Sequence, residues 1–158
     1  MSRITPADLP DDVPVKNNLV RTTYTNPDMH RGFASLSGRV HSTSHLDGRT
    51  RELVVLRIAG MLGAAYEWQQ HEAGARFQGV TDDELGALRS GELTPFTGRE
   101  RAAIEFAEAV EQRTVDDARW ATAREHFSEV ELVDLALIAG FYGLASRFVL
   151  AFDVDLEA

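Results

Sequence analysis

Glu67 and His71 are the residues of this sequence whose types and spacing point most directly to chemistry. Residues four apart share a helix face and can touch. A carboxylate and an imidazole in mutual reach near a helix start can act as a general acid/base pair, and the dipole there favours the ionised acid. By residue chemistry alone the simpler reading is a solvated ion pair on an exposed face, although the neighbours, Ala64 and Ala65 before the pair and Tyr66 and Trp68 around it, are small or apolar. Glu52 lies upstream in Arg49-Thr50-Arg51-Glu52. By residue chemistry alone it is a first-turn acid that helps to start its own helix.

The remaining histidines carry less. His30 falls on a helix whose apolar face is elsewhere, so it is expected in solvent, and His126 sits at a helix end where a cation suits the dipole. His41 and His45 flank a polar connection four residues apart, near the spacing of a metal-ligand pair, but no carboxylate accompanies them; this loop could fold over a site mouth. Di-iron bundles take Glu-x-x-His, three apart, from each of two helices. Here acid and His are four apart and occur once, so no metal and no cofactor are expected. Tyr142 and Arg147, on the last helix, are alternative substrate contacts.

Helices must position these groups. Asn26-Pro27 is an N-cap followed by proline at the first helical position, and Met29, Phe33, Leu36 and Val40 then recur at helical spacing. Asp47 caps a run through Leu53, Val54, Leu56, Ile58 and Ala59 that Gly60 and Gly63 weaken, with a break before Ala64. A helix over 64–79 follows. Thr81-x-x-Glu84, Thr97-x-x-Glu100 and Ser128-x-x-Glu131 are capping boxes, each ahead of an apolar periodic run. Asp116 or Asp117 opens a short helix to Phe127, and the run from Glu131 towards Phe152 is the most apolar and so the most central. No segment alternates with period two. The expected fold is all-α, a compact bundle of about seven helices with the 64–79 helix packed between the 48–62 helix and the last one. Residues 1–16, with Pro6, Pro10 and Pro14, form an irregular arm; 17–158 form a single domain whose core motif is 47–90.

A chain of 158 residues suffices for one domain with a substantial core. The net charge of −9 argues against nucleic acid or an anionic membrane surface as partner. No apolar run of spanning length and no leader-like segment is evident, so a cytoplasmic location is expected. Zero cysteines exclude disulfides, thiolate nucleophiles and Cys-ligated metal centres.

The stretch from Glu52 to His71 resembles the carboxymuconolactone decarboxylase and alkyl hydroperoxidase D-like (AhpD-like) superfamily. The peroxidase branch has the pattern Glu-x11-Cys-x2-Cys-x3-His. On this chain the Glu falls on Glu52, the cysteines on Ala64 and Glu67, and the His on His71. Gly79-Val80-Thr81-Asp82-Asp83-Glu84 resembles the family's turn into its next helix. The resemblance covers roughly residues 17–90 and is looser beyond. It implies a cysteine-less branch, hence no thiol peroxidase, and a homo-oligomer. It also implies that Glu52 turns inward to orient His71. The function this suggests is a cofactor-independent lyase or isomerase acting on a small organic acid, lactone or carbonyl compound. In it His71, Glu67 and Glu52 are catalytic, and Tyr66, Trp68 and Tyr142 contact substrate. The competing reading is a non-catalytic ligand-binding or assembly protein built on the same fold.

Overall fold

Side-chain caps set where most of the helices begin. Asn17, Asn26, Asp47, Thr81, Thr97, Asp116 and Ser128 each accept a hydrogen bond from a backbone N–H of the first turn. Thr81, Thr97 and Ser128 form complete capping boxes with Glu84, Glu100 and Glu131. The computed structural model describes residues 1–158. It is all-helical: α1 (Asn18–Thr23), α2 (Pro27–Ser42), α3 (Gly48–Leu62), α4 (Ala65–Phe77), α5 (Asp82–Ser90), α6 (Gly98–Gln112), α7 (Asp117–His126) and α8 (Glu129–Phe152).

The eighth helix, relative to the seven expected, is α1. At six residues it is too short to leave a periodic signature. A second difference bears on the site: α2 continues to Ser42, so His41 belongs to its last turn rather than to a polar loop. His30 is also not in solvent. It is buried, with Nδ1 2.9 Å from the Thr23 hydroxyl.

The core centres on α3, where Leu53, Val54, Val55, Leu56 and Ile58 are fully buried. α4, α5, α6 and α8 all pack on it. Gly63 ends α3 in the left-handed conformation (φ 67°), which a glycine adopts without steric cost, and the chain turns there into α4. α4 lies against both α3 and α8 as expected. Arg49, on the first turn of α3, bridges Glu84, Glu100 and the Gly79 carbonyl, fixing that end of the helix to α5 and α6.

By length and composition α8 could cross a bilayer (24 residues, window hydropathy 1.8), contrary to the expectation that no run reaches spanning length. Half of that window is buried inside the fold against its neighbours, which accounts for the apolar character. Residues 1–16 contain no helix. They run along the end of α8, with Arg3 N–H donating to Phe152 O (2.8 Å) and Ala7 N–H to Arg21 O (3.0 Å).

Because α3 is enclosed on several sides, truncating it leaves a cavity its neighbours cannot fill. Leu53→Ala is expected to lower the unfolding free energy by about 2–5 kcal/mol in urea titration. A loss well below this range would show that α3 is not clamped as described.

Candidate functional site

Three helices bring the site together. Glu52 comes from the second turn of α3, not the first turn as its sequence context suggests, His71 from the middle of α4 and His41 from the end of α2; Tyr142 of α8 closes the group. Glu52 is 5% exposed, so its carboxylate faces the interior. Gly74, one turn after His71, lies beside the Glu52 carboxyl. A Cβ there would stand 3.7 Å from the Glu52 carboxyl, in ordinary contact.

His71 Nδ1 lies 2.9 Å from Glu52 Oε2. Burial pushes the Glu52 carboxyl up, but the His71 hydrogen bond and the charges of His71, Arg51 and His41 outweigh it and hold the group below its ordinary value. An ionised carboxylate can only accept, so Nδ1 carries the proton and Nε2 is left as a base. Arg51 Nε is 3.5 Å from Glu52 Oε1 and has no hydrogen-bond partner of its own.

His41 is fixed by the same logic. Its Nδ1 faces the Ser37 carbonyl at 2.9 Å, an acceptor, and must donate to it. Burial lowers the His41 pKa, only partly offset by that bond, and keeps the ring neutral. Nε2 therefore accepts from the Tyr142 hydroxyl (2.9 Å). The Tyr142 ring stands edge-on to His71, centroids 4.8 Å apart, and the two imidazoles are 5.7 Å apart and nearly parallel. Burial, together with the negative charges of Glu67 and Glu52, raises the Tyr142 pKa strongly, so the phenol keeps its proton.

Glu67 is 3% exposed and makes no hydrogen bond to His71; its Oε1 has no partner at all. Burial raises its pKa, and the His71 charge offsets this only in part. The acid is thus poised to hold a proton at a higher pH than an ordinary carboxyl group. The structure replaces the expected Glu67–His71 pair by a Glu52–His71 pair with Glu67 as a separate buried acid.

Tyr66 and Trp68 point elsewhere. The Tyr66 hydroxyl donates to Glu157 (2.6 Å) and accepts from the Leu19 N–H (3.1 Å), tying α4 to the C-terminal tail and α1. Trp68 donates to Glu72 (3.2 Å), lies under the Arg89 guanidinium (4.1 Å) and lines a separate cleft with Gly60, Gly63 and Gln69. Tyr66 and Trp68 flank Glu67, and on a helix neighbouring residues diverge by roughly 100° per step, which is why sequence adjacency did not bring them together. His45 turns to Asp134 (3.1 Å) instead of joining His41. His41 is the participant that sequence reasoning missed; the signal was its place one residue past an apolar helix face, at Val40.

The largest apolar concavity, about 920 Å³, runs between α2 and α8 and is lined by Met29, Phe33, Leu36, Leu144 and Phe148 among others. Phe141 joins this lining and stands edge-on to Tyr142 at 5.3 Å, so the groove adjoins the polar cluster through a single ring.

Residues 27–109, more than half of the chain, match the model of the carboxymuconolactone decarboxylase family. The chain belongs to that family. Over 99 residues it is 32% identical to the uncharacterized protein YdfG of Bacillus subtilis (strain 168), spanning 60% of this chain and 67% of YdfG. An uncharacterized peroxidase-related protein of Ralstonia eutropha JMP134, described as an alkylhydroperoxidase AhpD core, superposes with a TM-score of 0.86 at 23% identity. The match covers 99% of this chain and 92% of that one. A variant of the debrominase Bmp8 in complex with 2,3,4-tribromopyrrole superposes with a TM-score of 0.84 at 20% identity, covering 100% and 95%. These structural likenesses establish the AhpD-like helical fold, here without cysteine.

The raised Glu67 pKa has a defined effect on stability. The folded state binds the Glu67 proton more tightly than the unfolded chain, so its contribution is fully present below the ordinary carboxylate range. That contribution is lost as pH rises through the higher folded value. Glu67→Gln removes this dependence. The stability of wild type relative to Glu67→Gln is therefore expected to decline as pH is raised from about 4 toward neutrality. Parallel pH profiles of Tm for the two proteins would show that Glu67 is not desolvated.

Proposed function

We propose that this protein is a cofactor-independent acid/base enzyme of the lyase or isomerase type, acting on a small carbonyl compound, lactone or organic acid. The observation that carries the reading is the 2.9 Å bond from His71 Nδ1 to buried Glu52, beside a second buried acid with an unpartnered oxygen. His71 Nε2 takes a proton from the carbon next to the substrate carbonyl, and Glu52 holds the ring and stabilises the imidazolium that forms. Glu67, whose pKa burial raises, donates a proton to the substrate or to developing negative charge. Tyr142 packs against the His71 ring and limits where a substrate can sit. That a debrominase with this fold was solved with a brominated pyrrole supports a substrate of small-ring size.

The reading includes self-association. α8 leaves Val133, Leu137, Leu144 and Leu150 more than two-fifths exposed, and the groove beside it is apolar. A second copy of the chain would cover this face. Light scattering at micromolar concentration is expected to give a mass above that of one chain, and a monomer would count against it.

The same apolar groove favours the competing reading, a protein that binds a ligand or a partner without turning anything over. Mutation separates the two. With a panel of small lactones and keto acids, His71→Ala is expected to abolish turnover with the helical circular dichroism intact. Glu67→Gln should cost about 10²-fold or more in kcat, while Glu52→Gln should cost less than His71→Ala. Tyr66→Phe should leave kcat near wild type, because its hydroxyl serves the tail. Wild-type turnover in both His71→Ala and Glu67→Gln would remove this site and leave the binding reading ahead.

A further inference from the structure

The two buried histidines share an arrangement that proton transfer at His71 alone does not require. Each is held through Nδ1, His41 by a backbone carbonyl and His71 by a carboxylate; His41 Nε2 takes a hydrogen bond from the Tyr142 hydroxyl and His71 Nε2 takes none. A backbone carbonyl on one ring nitrogen, as Ser37 O is on His41, is how proteins orient a metal-binding imidazole, while a metal between His71 and Glu52 would replace the proton they share. One donor atom from each of His41, Glu52 and His71 lies within 4.8 Å of the others. A second, independent feature is the carboxyl of Glu67. It is 3% exposed, one turn before His71 on the same face of α4, and its Oε1 has no partner.

We propose that His41, Glu52 and His71 form a binding site for a divalent transition metal of the zinc class, with a water as fourth ligand. Two neutral imidazoles and a carboxylate oxygen suit zinc, cobalt, nickel or iron(II). Magnesium and calcium prefer sets made of oxygen alone, and copper(I) prefers thiolate or thioether sulfur. Glu52 carries the negative charge that faces the dication, while Arg51 beside it works against the ion and moderates affinity. With bonds of about 2.0–2.2 Å, a tetrahedral ion holds its ligands ~3.4 Å apart, so the donors must draw together by up to ~1.4 Å. Tyr142 gives up its bond to His41 in the process. The spacing Glu-x-x-His that argues against a metal from sequence concerns ligands on one helix; these come from α2, α3 and α4. Where His71 also serves as the base, as proposed above, ion and proton compete for it, so that metal occupancy and turnover exclude each other.

The test reads binding, so it stands apart from the turnover assays, which are run on chelator-treated protein; either reading can fail without the other. Chelator-treated wild type is titrated with zinc chloride by calorimetry, alongside His41→Ala and His45→Ala. The expected result is one zinc per chain with a rise in Tm, a Kd weakened about 100-fold or more by His41→Ala, and no change in His45→Ala, whose ring is exposed. His41→Gln serves if His41→Ala does not fold. Cobalt(II) in wild type should give the strong visible absorption of a four-coordinate site. Absence of zinc binding, a Kd unchanged in the His41 variant, loss of binding in His45→Ala, or a cobalt spectrum like that of the aqueous ion would overturn the proposal.

Discussion

A negative charge has been placed on the most deeply buried helix of this fold, and much of the local architecture answers to it. Burying an unpaired carboxylate is costly enough that such groups survive only when hydrogen-bonded or matched by charge. Glu52 is matched from two directions, by His71 arriving on α4 and by Arg51 beside it. For His71 to arrive, α4 must lie close to α3, which the left-handed turn at Gly63 allows. The orientation of the imidazole follows from these contacts and not from any loop. A site built this way is rigid before a substrate enters, which is the condition under which an acid/base group is most effective.

Tyr142 and Phe141 connect this polar centre with the apolar side of the molecule. Tyr142 packs on His71 and donates to His41, while Phe141 next to it lines the groove between α2 and α8. Substitutions on α8 can therefore reach the histidines through one aromatic contact, without touching either of them.

Much of this was legible in the residues. The capping boxes at Thr81, Thr97 and Ser128 and the Asn26-Pro27 start gave helix beginnings within a residue or two, because a cap is a local hydrogen bond written in four consecutive positions. Periodicity supplied the long helices and missed α1, which offers fewer than two turns. Within the site, His71 stood out through its spacing from Glu67, whereas the inward role of Glu52 came from resemblance to a family and not from any pattern in the residues themselves. What escaped was direction: a sequence puts Tyr66, Glu67 and Trp68 side by side, but a helix sends them to the tail, the polar centre and a separate cleft. His41 escaped for the opposite reason. It is distant in sequence from its partners and was assigned to a loop, so no spacing rule could pair it with a ring on α4.

The start of α4 has a consequence that extends beyond its own turn. Glutamate at the third helical position is, in α5, α6 and α8, a structural part, spent on the backbone N–H of a Thr or Ser cap. Glu67 holds the same third position in α4, but the residue before that helix is Ala64, which has no hydroxyl, and no side-chain cap forms. The same amino acid at the same place in a helix is thereby released from scaffolding. Whether a glutamate in this protein is a brace or a reagent is set by a single side chain three residues earlier, so the chain can acquire or retire a reactive acid by exchanging a hydroxyl for a methyl group.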